Sequence, residues 1–553
     1  MNTKELQLRP LSSLSKVFPH QIYGKTHRQV NAAQGQEVAF QVAFRVNADG
    51  YRRKIYQVQV KSPIQQLIRL YTVGTVPSTL AAYPKGRSDD NYLTLRAGVF
   101  PDPLFPVEDG CVTASVEIWH SLWVSVKLDG TVAAGNYPVR IVFRNPENGA
   151  QQSVTYTVTV HPHTLPKQEL LFTQWFHCDC IADAHRVPVL SEAHWDLIGR
   201  YMRLAAEHGM NMILTPVVTP PLDTAVGAER PTVQLVEVTK NGNGYTFDFS
   251  RLARFVKLAL SCGIHEFEIS HFFTQWGANA APKVVAWVDG KETRIFGWDT
   301  DACSDEYATF LTQLVPALIR AFEELGVGKK QLWFHVSDEP NVKHLEQYGR
   351  VSDILRPLIS GCHHMDALSN FDFYGKGLVE SPVVATNHIT PFLEANVPDL
   401  WCYYCCSQCV DVSNRFFSMP SSRNRIIGVQ MYKYAIAGFL QWGYNFYYTQ
   451  YSARKIDPYA VTDADAAFPS GDAFSVYPYG NDVIPSLRQK VFSNGLEDLR
   501  LLKLLEQKIG RERVVEAIDR IAGMEVTFSV YPKNDGFFDE LYQFIFDQLN
   551  SKD

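Results

Sequence analysis

The 553-residue chain lacks the features that would set it apart from ordinary globular proteins. No run approaches the roughly 18 apolar residues that a membrane span requires, which excludes an integral helical membrane protein. The opening stretch, MNTKELQLRPLSSLSKVF, has no apolar core of the kind a secretory signal carries. Charge of one sign is also missing. The 52 Lys and Arg residues stand against 58 Asp and Glu, a net charge of -6. That balance gives no electrostatic basis for a nucleic-acid or membrane-surface partner. There is no fixed-period repeat of the solenoid kind. Ten cysteines are present, but in a long chain without a signal the expected state is the free thiol, and the expected compartment is the cytoplasm. With 46% hydrophobic and 20% charged residues, pervasive disorder is excluded as well. The composition says nothing of oligomeric state.

What remains is a chain too long for one core, with a change of rhythm near residue 166. Residues 1–165 read as an all-β sandwich domain. The run 37–46 (EVAFQVAFRV) is rich in β-formers, and GNYP at 135–138 is a turn leading into VRIVF. Within 154–160 the residues Val154, Tyr156, Val158 and Val160 share one face and the threonines the other, a half-buried strand. Pro162 and Pro166 mark a linker. Residues 166–553 then alternate short apolar runs with helical stretches. Strands are expected at 171–176, 210–215, 265–273, 331–336, 365–370, 400–405, 426–431 and 442–448. Helices are expected at 192–208, 248–262 and 305–325, ending at Gly209, Gly263 and Gly326, with a closing helix at 485–507. That alternation predicts an α/β (β/α)8 TIM-like barrel with C-terminal helices.

In such barrels the chemistry sits at the carboxyl ends of the strands. There the sequence places His177 and Asp179, then Thr219–Thr224, Gln275 and Trp276, Ser337–Asn341, Asn370 and Asp372, the aromatics Trp401, Tyr403 and Tyr404, and finally Trp442. Carboxylates, amides and indoles around one rim suit a sugar. The sharpest signal is Ser337-Asp338-Glu339-Pro340-Asn341. Two adjacent acids after a buried strand repel each other, which raises the pKa of at least one, and a raised carboxyl is what protonates a glycosidic oxygen. The same pattern also suits a helix N-terminus, where acids favour the dipole and proline fits the first turn.

Five segments in order carry a family resemblance: TPPLDT (219–224), HFFTQWG (271–277), GWDTDA (297–302), SDEP (337–340) and PSLRQKVFSNGLEDL (485–499). They resemble glycoside hydrolase family 123, whose barrel accompanies an N-terminal β-sandwich. The resemblance implies retaining hydrolysis of β-N-acetylgalactosaminides, assisted by the substrate's own 2-acetamido group. It implies that Asp338 orients and polarises the acetamide while Glu339 protonates the leaving oxygen and then activates water. No cofactor and no metal are implied, and the partner is an N-acetylhexosamine-containing glycan.

Further substrate-binding candidates are Trp401 and Tyr404 as pocket walls, the latter as a donor to the acetamide oxygen. Trp276, Trp298 and Trp442 are candidates for stacking on sugar rings, and His271, Asp179 and Asn387 for binding polar groups. Packing or a satisfied polar core explains each of these equally. Asp223 suits a turn. The clustered Cys402, Cys405, Cys406 and Cys409 lack the loop that separates the pairs in a zinc site, and strand alternation sends Cys402 and Cys405 to opposite faces. Two other functions stay open at this point: a glycosidase with a conventional second carboxylate, Glu268 or Asp372, and a glycan-binding protein without catalysis.

Overall fold

The computed structural model describes residues 6–47 and 53–551. The N-terminal region holds two five-stranded sheets. In the first, Glu37–Val46 lies between Leu6–Ser12 and His120–Lys127, with Ile68–Ser78 and Gly98–Pro106 beyond. In the second, Gln151–Thr164 lies between Gln29–Gln34 and Gly135–Arg144. Val154, Tyr156, Val158 and Val160 are all buried, in one cluster with Phe40, Val42 and Phe44 of the first sheet. The period of two in the sequence therefore reports a real inward face.

The rest of the chain is built on eight parallel strands: β1 (Leu171–Gln174), β2 (Met212–Thr215), β3 (Glu266–Ile269), β4 (Leu332–Phe334), β5 (His363–Leu368), β6 (Ser381–Ala385), β7 (Trp401–Tyr403) and β8 (Gly438–Gln441). The hydrogen-bonded ladder runs from β1 through β8 and down to β2, giving a nearly closed barrel. Asn211 spans the last seam. Its Oδ1 accepts from Phe172 N–H (2.8 Å), its backbone N–H donates to Phe172 O (3.2 Å), and its Nδ2 donates to Leu170 O (3.0 Å). Helices Glu192–Glu207, Asp305–Glu324 and Leu487–Ile509 start at Ser191, Ser304 and Ser486, each of which accepts a backbone N–H three residues on. Among the described residues no helix is long and apolar enough to cross a membrane.

Three expectations for the barrel are corrected. The run at 426–431 is not a strand: Ile427–Lys433 is a helix. Its β-branched residues are buried on every side, and Gly428 lets it cross Leu487–Ile509 closely, since a Cβ there would sit 1.8 Å from Gly495 O. The strand missing from the sequence reading is β6, five residues opening on Ser381-Pro382. The last strand is β8 at Gly438–Gln441, and the 442–448 segment is the loop after it.

The N-terminal sheets brace the barrel through buried ion pairs. Arg488 on the closing helix is bidentate to Asp102 (2.8 and 2.9 Å), and Arg423 pairs with Asp89 (2.8 Å). Asp463 accepts from the backbone N–H groups of Thr79 and Leu80, each at 2.8 Å.

Candidate active site

A cleft of about 190 Å³ opens at the carboxyl ends of the strands, bordered by Asp338, Glu339, Tyr403, Trp175, Trp442 and Trp276, among others. The backbone that carries the two acids is fixed from several sides. Val336 and Ser337 N–H donate to Asp366 Oδ2 (3.2 and 3.4 Å), Ser337 Oγ donates to Thr274 O (3.0 Å), and Trp276 N–H donates to Asp338 O (3.2 Å). Glu339 sits at φ +42°, a conformation costly for a residue with a Cβ. The helix-start alternative fails here. Asn341 caps the short turn Val342–His344 through its side chain, so neither acid has that duty.

The electrostatics of the pair are unusual. Burial and the neighbouring Glu339 charge push the Asp338 carboxyl well above the ordinary range, against the pull of His335. Crowding by protein atoms raises Glu339 as well, opposed by Tyr403, whose hydroxyl donates to Glu339 Oε1 at 2.5 Å. Glu339 keeps more of its surface open to solvent than Asp338 does, so screening limits its rise. Two like groups this close titrate as a unit, and both shifts favour the protonated form.

Beneath the cleft lies a buried charged network. His335 Nε2–H donates to Glu268 Oε1 (2.7 Å) and Nδ1–H to Asp366 Oδ1 (3.1 Å). Burial would depress this imidazole, but hydrogen bonds to both carboxylates and their charges raise it to about 9, so it is an imidazolium at neutral pH. Burial opposes ionisation of Asp366 too, yet hydrogen bonds from His335 and His364 hold it near 2. Glu268 is fully enclosed, with Trp175 Nε1 (2.6 Å) and Thr173 Oγ1 (2.8 Å) donating to it. His271, His335 and Asp366 have donor atoms within 4.8 Å of one another, the one such group among the described residues. They do not form a metal cage: both nitrogens of His335 are committed, and the His271 and His335 rings stack at 4.2 Å and 19°, so their lone pairs do not converge.

Of the sequence candidates, Asp338, Glu339, Trp276 and Trp442 border the cleft. Trp442 is pinned by its indole N–H on Asp472 Oδ2 (2.9 Å). The others lie elsewhere. Tyr404 points outward and packs against Phe439 at 5.0 Å, while Tyr403 faces the acids. Trp401 shares Tyr403's inward face but lies at the opposite mouth of the barrel. Trp298 holds a loop through Ala228 O (3.1 Å). His271 is sealed behind Trp175, Asp179 is bidentate to Arg230 (2.8 and 2.7 Å), and Asn387 accepts from Gln408 (2.8 Å). Of the two alternative carboxylates, Glu268 is enclosed below the cleft and Asp372 starts a helical turn outside it. The sequence reading gave little weight to Tyr403, Trp175, Asp223 and Gln275, all of which border the cleft. Strand alternation was the available signal for Tyr403.

A barrel with an adjacent acid pair at its strand ends, walled by indoles and a tyrosine, is the arrangement of a carbohydrate-cleaving enzyme. The chain belongs to glycoside hydrolase family 123: the model of the glycoside hydrolase 123 catalytic domain matches residues 175–505, more than half of the chain. A family 123 glycoside hydrolase from Clostridium perfringens, described for glycolipid glycan hydrolysis, has the same fold. It is 14% identical, with 98% of each chain covered and a TM-score of 0.74. A β-glucuronidase from Parabacteroides merdae is 11% identical over 89% of this chain and 52% of its own, at a TM-score of 0.31. A family 5 mannosidase from Rhizomucor miehei is 10% identical over 66% of this chain and 97% of its own, at 0.33. Likenesses that loose support no argument. No curated protein matches the chain.

Proposed function

We propose that this glycoside hydrolase is a retaining exo-β-N-acetylhexosaminidase of the β-N-acetylgalactosaminidase type, using the substrate's 2-acetamido group as nucleophile. The observation that carries the reading is the acid pair itself: two adjacent carboxyl groups at one small cleft, with Glu268 and Asp372 excluded from it. Asp223 also borders the cleft, but it is bound up in holding the neighbouring loop: its Oδ2 accepts from Tyr451 N–H at 3.1 Å and its carbonyl from Ser452 Oγ at 2.7 Å.

In this mechanism the acetamide N–H donates to Asp338. That bond favours the Asp338 anion and leaves the pair's proton on Glu339. The acetamide oxygen attacks C1 as the C1–O bond breaks, and Glu339 delivers its proton to the departing oxygen. Asp338 balances the positive charge of the cyclised intermediate. Glu339 then takes a proton from water attacking C1, the ring reopens, and two inversions give retention. The match to an enzyme described for glycolipid glycans makes such glycans reasonable substrates. We further read the two N-terminal sheets (1–165) as a sandwich bracing a TIM-like catalytic domain (166–553). Ten unpaired thiols suit a reducing compartment.

The test is a panel of paired β-glycosides that differ only at C2. The 2-acetamido members should be cleaved and the 2-hydroxyl members left intact. Cleavage of both with equal efficiency would overturn the reading in favour of a conventional nucleophile.

A further inference from the structure

The two acids stand on chain that has just left the barrel sheet. The ladder between β3 and β4 ends with Ile269 opposite Phe334, and the ladder between β4 and β5 ends with Phe334 opposite His364. Continued in that register, Val336 would lie opposite Asp366. From His335 onward the chain instead leaves both neighbours and carries Asp338 and Glu339 to the cleft. Val336 and Ser337 are fully buried, so the N–H groups freed by this departure need partners. Asp366 Oδ2 accepts both, at 3.2 and 3.4 Å. A side chain of β5 thus replaces the ladder that its backbone no longer supplies.

Asp366 is itself held from three sides. Tyr348 of the helix Leu345–Leu355 donates its hydroxyl to Oδ2, His364 Nε2 lies 3.5 Å from the same oxygen, and His335 Nδ1–H donates to Oδ1 at 3.1 Å. Burying an anion this deeply is costly and is poor evidence of a stabilising role. Its place, against the two residues that precede the acids, gives it another use. His335 is aligned by two carboxylates, Asp366 and, at 2.7 Å, Glu268 of β3. His271, stacked on it from the loop after β3, is kept neutral by burial. The charged groups that act on Asp338 are Glu339 beside it, His335, Asp366 from β5 and Asp223 from the loop after β2. Of these, His335 is the one that favours the Asp338 anion.

We propose that Asp366 and His335 are positioning residues of the reaction: Asp366 fixes the height and direction at which the two acids enter the cleft, and His335 sets a positive charge behind Asp338. The proposal rests on the acetamido-assisted reading and adds how the acid pair is made unequal. Asp338 has to be the anion while Glu339 keeps the proton, and a charge placed on the Asp338 side supplies that asymmetry.

The proposal is tested by pH–rate profiles on one 2-acetamido aryl glycoside, together with binding of N-acetylgalactosamine and of a thiazoline mimic of the cyclised intermediate. Asp366→Asn keeps the shape and loses the anion. It should lower kcat by about a hundredfold with KM within about threefold, and weaken the thiazoline by a similar factor while N-acetylgalactosamine binds within about threefold of wild type. Melting temperature and folded fraction are measured alongside, because plain destabilisation reduces the amount of active protein and leaves kcat per folded molecule unchanged. If Asp366→Asn does not fold, Tyr348→Phe takes its place. That variant removes one donor from the carboxylate and should lower kcat by about three- to tenfold at unchanged KM. His335→Gln should move the acidic limb of the kcat/KM profile to higher pH, since Asp338 loses the charge that favours its anion, and leave the alkaline limb, set by Glu339, in place. Full kcat per folded molecule in the Asp366 or Tyr348 variant would overturn the role of Asp366, and an unmoved acidic limb that of His335, in both cases with the acetamido reading intact. Wild type that neither cleaves the glycoside nor binds the thiazoline would overturn the acetamido reading and the proposal with it.

Discussion

The two mouths of the barrel are built from the same strands and differ in how their acids and aromatic residues are arranged. The amino-terminal mouth has the larger cavity, about 680 Å³ against about 190 Å³. Its aromatic residues are consumed by packing. Trp333 stacks on His363 at 3.8 Å and tilts against Trp401 at 5.2 Å, and Gly438 is kept without a side chain because a Cβ would lie 2.1 Å from the Trp401 ring. Its Glu266 accepts from Trp333 Nε1 at 2.8 Å, and burial pushes its carboxyl up without help from a neighbouring acid among the described residues. At the carboxyl-terminal mouth two raised acids stand side by side, and the Trp276 ring is left uncovered. Convergent chemistry, not volume, is what marks the carboxyl-terminal mouth as the candidate site.

The contrast can be broken most directly at the acids. Glu339→Gln keeps the shape but cannot donate a proton, and Asp338→Asn cannot balance the intermediate's charge. Each should lower kcat on natural linkages by roughly a thousandfold or more. Glu266→Gln at the other mouth should change kcat less than about twofold. Near-wild-type turnover of Glu339→Gln would mean that the acid lies elsewhere.

Trp401→Ala should show the reverse profile. Loss of a fully buried indole costs about 3–5 kcal/mol of stability, while kcat of the folded protein stays unchanged. Denaturant unfolding and active-site-normalised turnover separate the two effects, and a large loss of kcat at full folding would show that the two mouths are coupled.

The network under the cleft predicts an alkaline loss of stability. His335 is raised from 6.5 to about 9 in the folded chain. Its contribution is therefore fully present below about pH 6.5 and is lost as pH rises through about 9. A shift of that size corresponds to about 3 kcal/mol, so chemical denaturation should show a decline between pH 7 and 10. His335→Gln should be less stable at pH 6, and the part of the alkaline decline due to this group should vanish. An unchanged slope would assign the decline to other residues.

A smaller effect belongs to Tyr403. Removing a hydrogen bond to an ionised group costs about 1.5–3 kcal/mol, so Tyr403→Phe should lower kcat by roughly ten- to a hundredfold. Tyr403 holds the Glu339 pKa down. Without it Glu339 stays protonated to higher pH, and the alkaline limb of the kcat/KM profile should move upward. Movement downward would mean that Tyr403 favours the protonated form of Glu339 and not its anion.

Much of this contrast was legible in the sequence. The Asp338-Glu339 pair was identifiable from an apolar run followed by two acids, and three of the helices from their spacing and the glycines that end them. Other parts were not, for physical reasons. The β6 segment SPVVA is too short for periodicity to separate it from a loop. The 427–433 helix is buried all round, so its apolar residues have no helical stripe to betray them. Trp401 and Tyr404 could not both face the pocket, because they lie on opposite faces of β7 by simple alternation. The depth along the strand that takes Trp401 to the far mouth is a tertiary property. The clasp at Asp223 joins loops more than two hundred residues apart, and no local pattern announces it.

The central claim is that the substrate's acetamide oxygen is the nucleophile and that Asp338 sustains it. The most direct measurement is kcat/KM for one aryl glycoside carrying acetamido, fluoroacetamido, difluoroacetamido and trifluoroacetamido groups at C2, on wild type and Asp338→Asn. Each fluorine weakens the oxygen as a nucleophile, so the account predicts a steep, progressive fall across the series in wild type. Asp338→Asn should already be slow with the parent acetamide. A flat series in wild type would contradict the account, because a protein carboxylate attacking C1 is indifferent to the basicity of that oxygen.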